Sequence, residues 1–254
     1  MSLLQIKNLT QRFAGLTAIQ NFSFDLQKNV LPGLIGPNGA GKTTIFNIVC
    51  GFYQPTIGNI HFENQSIVGK RPHAITSIGI ARTFQNIRLW SEMTVLDNLC
   101  ISQHARLGYG FLDAIFKTSK YKFQEKHIHQ TAINLLEKLN LQDYAKECPK
   151  SLPYGVQRRV EIGRALAAQP KLLLLDEPAA GMNSSEVEDL ISLIEWIRNE
   201  FDITIWLIEH DMRVVMNVCE RIIVLDFGQI IADGTPKEIQ NNPKVIKAYL
   251  GNAD

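Results

Sequence analysis

No stretch of the sequence approaches the ~18–20 consecutive apolar residues that a membrane-spanning helix needs. Excess charge is missing too. Lys and Arg number 26 against 25 Asp and Glu, a formal net charge of +1. That balance gives no bulk electrostatic reason to bind nucleic acid, and none is expected as a partner. Cysteine is scarce and scattered. Cys50, Cys100, Cys148 and Cys219 form no C-x-x-C pair, which disfavours a zinc or redox motif and suggests reduced thiols. Internal repeats and low-complexity linkers are absent. Residues 1–8 turn polar too soon for a secretory leader, so the chain is expected to be cytoplasmic and to reach a membrane only through a partner. What is present is ordinary for a folded protein: 254 residues, 45% hydrophobic and 20% charged, ample to bury a core.

Runs rich in Val, Ile, Leu and Phe predict strands at residues 4–6, 21–26, 30–35, 59–62, 172–175, 204–208 and 221–225. Helical spacing predicts helices over 43–50, 131–139, 157–168, 185–199 and 212–217. Strands alternating with helices point to an α/β domain with a mainly parallel sheet. The opening strands are separated only by the turns Ala14-Gly15 and Lys28-Asn29, so they read as an antiparallel appendage rather than βαβ units. Residues 87–169 show little strand character and predict a helical subdomain. Inside it, 106–130 mixes Leu112, Ile115 and Phe116 with Lys117, Lys120, Lys122 and Lys126. A solvated amphipathic helix covering the core is the expectation there, a specific binding role the alternative.

The strongest motif is Gly36-Pro37-Asn38-Gly39-Ala40-Gly41-Lys42-Thr43-Thr44, which fits G-x-x-x-x-G-K-[ST]. It follows the strand 30–35 and opens the helix from Thr43, the strand–loop–helix setting this motif requires. Its glycines let successive N–H groups face one concavity, and the helix adds the positive end of its dipole. Lys42 would set an ammonium against the β- and γ-phosphates, and Thr43 would offer a hydroxyl to Mg²⁺. A second motif is the apolar run 172–175 ending in Asp176-Glu177. It suits a central strand buried on both faces. Asp176 would hold Mg²⁺ through water, and Glu177 would polarise the attacking water.

These two motifs fit any phosphate-loop ATPase. Others narrow the class. Gln85 follows 78–84, Leu152-Pro153-Tyr154-Gly155-Val156 opens a helix leading to the acid pair, residues 178–183 follow Glu177, and His210 ends the strand 204–208. This order resembles the ATP-binding subunits of ABC transporters over nearly the whole chain. The segments Ala81-Arg82-Thr83-Phe84-Gln85-Asn86, Leu152-Pro153-Tyr154-Gly155, Glu177-Pro178-Ala179-Ala180-Gly181-Met182-Asn183, Ile208-Glu209-His210-Asp211-Met212 and the ending 234–251 resemble the branched-chain amino acid importer ATPases of the LivG type.

The resemblance implies a RecA-like P-loop ATPase core with a mainly parallel sheet, an N-terminal antiparallel β-subdomain and an inserted α-helical subdomain at 87–169, ahead of a C-terminal tail at 234–254. It makes residues 36–44 and Asp176 the nucleotide cradle, Thr43, Gln85 and Asp176 the Mg²⁺ side, and Glu177, His210 and Gln85 the catalytic residues: Glu177 the catalytic glutamate, His210 the γ-phosphate histidine and Gln85 the glutamine that touches both Mg²⁺ and the water. Phe13 stands where the family stacks an aromatic on adenine. Tyr154 and Gly155 fall in the family signature that meets ATP on an opposite subunit. Here the signature departs from L-S-G-G-Q: Pro153, Tyr154 and Val156 replace three of its residues, and Asn183 replaces a usual aspartate. Proline suits a first helical turn, so Tyr154 and Gly155 retain N–H groups for a phosphate.

The implied assembly is a second ATP-binding subunit, the same chain or a related one, and two transmembrane permease subunits. A periplasmic or extracellular solute-binding protein acts through them. The chain would lie peripherally on the inner face of the membrane. An exporter ATPase for lipid or lipopolysaccharide, and a non-transport ABC ATPase, are the alternatives. Ile87, Leu89, Trp90 and Met93, with Arg88 and Glu92, are either anchors for a membrane subunit or ordinary core of the helical subdomain.

Overall fold

The protein is described by a computed structural model covering residues 2–106 and 108–250; Leu107 and the Gly251 end of the C-terminal motif lie outside the described residues. Two sheets form the frame. The first is antiparallel and contains β1 (Ser2–Phe13), β2 (Leu16–Gln27), β4 (Ile57–Phe62) and β5 (Gln65–Ser66), in the order β2-β1-β4-β5. The second contains β3 (Pro32–Ile35), β6 (Ile80–Arg82), β7 (Leu172–Asp176), β8 (Thr204–Ile208), β9 (Arg221–Asp226) and β10 (Gln229–Gly234). Its order is β10-β9-β3-β8-β7-β6, parallel throughout except for the β9–β10 hairpin.

The apolar runs of the parallel strands divide between two cores because side chains alternate across a sheet. Leu173 and Leu175, Ile205 and Leu207, and Ile222 and Val224 face a helical layer. Leu172 and Leu174, Trp206 and Ile208, and Ile223 and Leu225 face the antiparallel sheet. Helix α1 (Lys42–Val49) lies in this second core, where Phe46 meets the Trp206 ring edge-on at 5.1 Å. The strand run 172–175 is buried at every residue, as a doubly covered central strand requires.

Short α2 (Pro72–Ile78) leads into β6. The helical layer draws on α3 (Val95–Ser102), α5 (Ser119–Lys138), α6 (Tyr154–Ala167), α7 (Ser184–Phe201) and α8 (Met212–Val218). Between α3 and α5 comes the five-residue α4 (Phe111–Ile115). After β10 come α9 (Pro236–Gln240) and α10 (Pro243–Leu250). Among the described residues, no helix is long and apolar enough to cross a membrane.

Three features differ from the sequence reading. β1 and β2 are twelve residues each, far longer than 4–6 and 21–26. Repeated register shifts between them break the alternation that a short window detects. β6 and β10 escape the apolar windows because they are edge strands, one of three residues and one apolar on a single face. And 106–130 is not one amphipathic helix over the core. α4 buries no residue at all, and α5 joins the core only from Ile128 onward.

Candidate functional site

β3 ends at Ile35, the chain curls through 36–41, and α1 starts at Lys42. Two glycines in the curl have no substitute. Gly36 has φ 148, and a Cβ there would lie 2.0 Å from the Leu225 carbonyl oxygen of β9. Gly41 has φ 107, and a Cβ would lie 2.4 Å from Ile19 Cδ1 of β2. The loop closes on itself through Ala40 N–H to the Pro37 carbonyl at 3.2 Å, and Gly228 N–H anchors the Ala40 carbonyl at 3.0 Å. Asn38 and Gly39 form its exposed rim, Thr43 is exposed and Thr44 half-buried. The Lys42 ammonium is buried and spans the curl, donating to the carbonyls of Gly36 at 2.6 Å and Pro37 at 3.0 Å. Burial holds its pKa below the ordinary lysine value, with Glu177 and then Asp176 opposing that shift.

β7 delivers Asp176 at its carboxyl end, beside β6. Arg82, the last residue of β6, donates to Asp176 Oδ2 at 2.6 Å and to Asn47 Oδ1 at 2.7 Å. Its guanidinium lies over the rings of Phe46 and Phe84, a setting that suits arginine's flat, weakly hydrated cation. Asp176 Oδ1 is left buried with no protein partner. Asp176 lines a cleft of about 390 Å³ with Thr43, Gln85, Asn47 and Tyr53.

Glu177 sits in the left-handed region, φ 47, an uncommon place for a non-glycine residue. Its N–H bonds the Ile208 carbonyl of β8 at 2.9 Å, which fixes the turn. Its carboxylate accepts from Gln85 Nε2 at 2.6 Å, and His210 Nδ1 stands 3.7 Å away. Beneath His210 the buried Glu209 accepts backbone N–H bonds from Ala179, His210 and Asp211 at 2.7, 2.9 and 3.1 Å. Burial pushes the Glu209 carboxyl up, against those three bonds. Glu209 thus ties the turn after Glu177 to the turn carrying His210.

Phe13, at the end of β1, stands edge-on to Tyr53 at 5.3 Å, and through Tyr53 reaches the same cleft. Tyr154 and Gly155 do not. They start α6, and Gly155 lines a separate hollow with Pro153, Arg159, Met182 and Glu186. Pro153 is the N-cap rather than a first-turn residue. The first helical bond runs from Gln157 N–H to the Pro153 carbonyl, so the N–H groups of Tyr154, Gly155 and Val156 precede the ladder. Asn183 caps α7 by accepting from Glu186 N–H at 3.0 Å, work that an aspartate would also do.

One link joins the two places. The Arg158–Glu161 pair of α6 is fully buried, at 2.7 Å. Arg158 donates to the carbonyls of Phe84 and Gln85, both at 2.7 Å. Glu161 accepts from the N–H groups of Phe84 at 3.3 Å and Arg88 at 3.1 Å. Arg158 also donates to the Tyr154 hydroxyl, which itself donates to the Ala180 carbonyl. The backbone that presents Gln85 is therefore fastened to the helix that presents Gly155. Beyond Gln85, Trp90 is 47% exposed under the Arg164 guanidinium, which sets aside its reading as core.

Sequence reasoning missed Arg82, Tyr53, Glu209 and the Arg158–Glu161 pair. Arg82 left one signal, a cation in the mostly apolar stretch 78–84; the i,i+3 spacing of Arg158 and Glu161 is readable, but their hold on Phe84, Gln85 and Arg88 and the bond from Ala179 to Glu209 join residues remote in sequence. Among the described residues, no three His, Cys, Asp or Glu side chains cluster as a complete metal site. The donors at the cleft, Asp176 Oδ1 with the Thr43 hydroxyl and Gln85 amide, are oxygens. They suit a hard cation whose remaining ligands arrive on water and phosphate.

Comparison with known proteins adds a consistent picture. The family model for ABC transporters matches residues 19–180, and one for the branched-chain amino acid ATP-binding cassette transporter matches residues 229–254. The chain is 45% identical over 251 residues to the high-affinity branched-chain amino acid transport ATP-binding protein BraF of Pseudomonas aeruginosa, covering 99% of this chain and 98% of that protein. Identity and coverage are the same with LivG of Escherichia coli, which bears the same description. A crystal structure of an ABC transporter ATP-binding cassette in its ADP conformation superposes with a TM-score of 0.85 at 33% identity, covering 99% of this chain and 100% of that one.

Proposed function

The chain belongs to the ABC transporter family as an ATP-binding, ATP-hydrolysing subunit, and from that premise we propose that it powers import of branched-chain amino acids. The observation that carries the solute class is the near-full-length match to relatives described by that transport.

In the proposed cycle the loop 36–44 wraps the phosphates. The Lys42 ammonium turns from the loop carbonyls to the β- and γ-phosphate oxygens, at little cost because it is already desolvated. Thr43, Gln85 and Asp176 Oδ1 would hold Mg²⁺, which supplies positive charge to the phosphates when bound. Arg82 occupies the other Asp176 oxygen and so aims the free one. Glu177 takes the proton from the attacking water, positioned by Gln85, while His210 faces the γ-phosphate. Phe13, with Tyr53 behind it, offers the adenine a ring.

Gly155 lies away from this cleft, which supports its use in trans. Two ATP-binding subunits, identical or related, would close head to tail on the inner face of the membrane, each ATP between one subunit's Lys42 loop and the other's Gly155 turn. Closure and reopening would drive two permease subunits fed by a solute-binding protein. Trp90 and Arg88, exposed just after Gln85, suit an anchor for a permease.

The test is uptake of labelled leucine by proteoliposomes holding the chain, its permeases and the binding protein. Glu177→Gln should lower ATP turnover on the order of 10²–10⁴ while ATP still binds, and stop uptake. ATP-driven outward lipid movement with no uptake of any aliphatic amino acid would overturn the import reading. Near-normal turnover in Glu177→Gln would overturn the role of Glu177.

A further inference from the structure

The corner formed by α4 and the start of α5 keeps its apolar side chains in water. Phe111 is 80% exposed, Leu112 67%, Ile115 55%, Phe116 74% and Phe123 74%. Scattered exposed apolar residues need no explanation, but five within thirteen positions of one hydrogen-bonded corner form a cluster of the kind that marks an interaction site. The corner is built, not loose. Asp113 accepts from Gly110 N–H at 3.1 Å and from the Thr118 hydroxyl at 2.9 Å, and Thr118 caps α5. Tyr109 packs edge-on to Tyr121 at 5.1 Å and donates to Glu125 at 2.6 Å. These bonds fix α4 with no residue buried against its own chain.

The charges around the patch select its occupant. Lys117, Lys120, Lys122 and Lys126 are all exposed and pair with no acid among the described residues. The corner's own acids, Asp113 and Glu125, are spent on the internal bonds just given. In α5, Lys120 and Lys126 lie three residues either side of Phe123 and so share its face. Apolar side chains beside four unpaired lysines, with the two local acids engaged internally, match the boundary between acyl chains and anionic headgroups. The same corner of a second copy does not match, since a two-fold contact would bring lysine against lysine.

We propose that the α4–α5 corner is a foot that rests on the anionic inner leaflet beside the permease, with Phe111, Leu112 and Phe116 entering the interface and the lysines meeting lipid phosphates. The proposal rests on the transporter reading only for bringing the chain to a membrane.

The experiment is flotation of the purified full chain with vesicles of phosphatidylglycerol and phosphatidylethanolamine, against vesicles of phosphatidylcholine. Binding is expected to the first only, and to fade in about 0.5 M salt, where the Debye length falls to a few Å. Phe111→Ser with Phe116→Ser, and separately Lys117→Glu with Lys120→Glu, should each weaken partition about tenfold or more. Melting temperature and ATP affinity should stay unchanged in both, since these side chains are exposed and distant from the cleft. A wild-type chain indifferent to anionic vesicles, or variants that float as well as wild type, would overturn the foot. Loss of co-purification with detergent-solubilised permeases in these variants, from a wild type that ignores vesicles, would assign the patch to protein and also overturn it. The flotation assay contains neither permease nor ATP turnover, so its failure leaves the import reading standing.

Discussion

The loop at 36–41 and the turn at 153–155 each open a helix, yet they are held by opposite means. The first is shaped by its own backbone: Gly36 and Gly41 at positive φ, and a closing bond from Ala40 to Pro37. The second has ordinary backbone angles and is held from outside. Tyr154 reaches Ala180, Arg158 reaches Phe84 and Gln85, and Glu186 lies against Gly155. The first turn is encoded mainly by its own residues, with Gly228 N–H on the Ala40 carbonyl as an added anchor. A turn held by side chains from α6, the 84–88 backbone and the segment after β7 moves with them, as suits a surface that meets a partner.

The largest effect expected is at the self-shaped loop. Lys42→Ala should reduce ATP turnover on the order of 10³ or more and remove most nucleotide affinity, with the circular dichroism spectrum intact. Calorimetric titration checks it, and unchanged affinity would mean that the loop is not the phosphate site. Next is the clamp. Arg158→Met leaves the Glu161 carboxylate buried without its cation and should cost about 3–5 kcal/mol in urea unfolding. Arg158→Met combined with Glu161→Met should recover much of that loss while leaving the 84–88 backbone unfastened, which would appear as faster amide exchange there. Equal stability of all three proteins would show that the turn is not held from outside.

The comparison is sharpened by a matched pair of alanines. Gly36→Ala places a methyl against a backbone oxygen at a φ that L residues avoid, and should cost about 3 kcal/mol. Gly155→Ala meets only the end of the flexible Glu186 side chain, 3.2 Å away, on an ordinary helical backbone. Its thermal midpoint should stay close to wild type, a change of under ~1 kcal/mol. If the two alanines destabilised equally, the contrast between a self-shaped and an externally held turn would fail.

Much of this was legible in order along the chain. The phosphate loop, the buried run ending in Asp176-Glu177 and His210 after 204–208 depend on residues adjacent in sequence, and the structure sets Lys42, Gln85, Glu177 and His210 along one edge of the parallel sheet. Arg82 was visible only as a cation in the mostly apolar stretch 78–84. Its hold on Asp176 spans 94 positions and no local pattern encodes it. The 106–130 segment misled for the converse reason. Amphipathic spacing says that a helix has an apolar face, but not that the chain will come to cover that face.

By itself, the sequence determined where backbone chemistry is local: glycines that allow a curl, a lysine at a helix start, and apolar runs long enough to be central strands. Tertiary structure alone decided which oxygen of Asp176 stays free, that Glu209 ties two turns together, that Arg158 and Glu161 fasten Gln85 to the start of α6, and that five apolar side chains near α4 stay in water. The physical reason is range. A backbone conformation is fixed by neighbours within a few residues, whereas burial and side-chain pairing depend on which distant segments the fold brings within hydrogen-bonding reach.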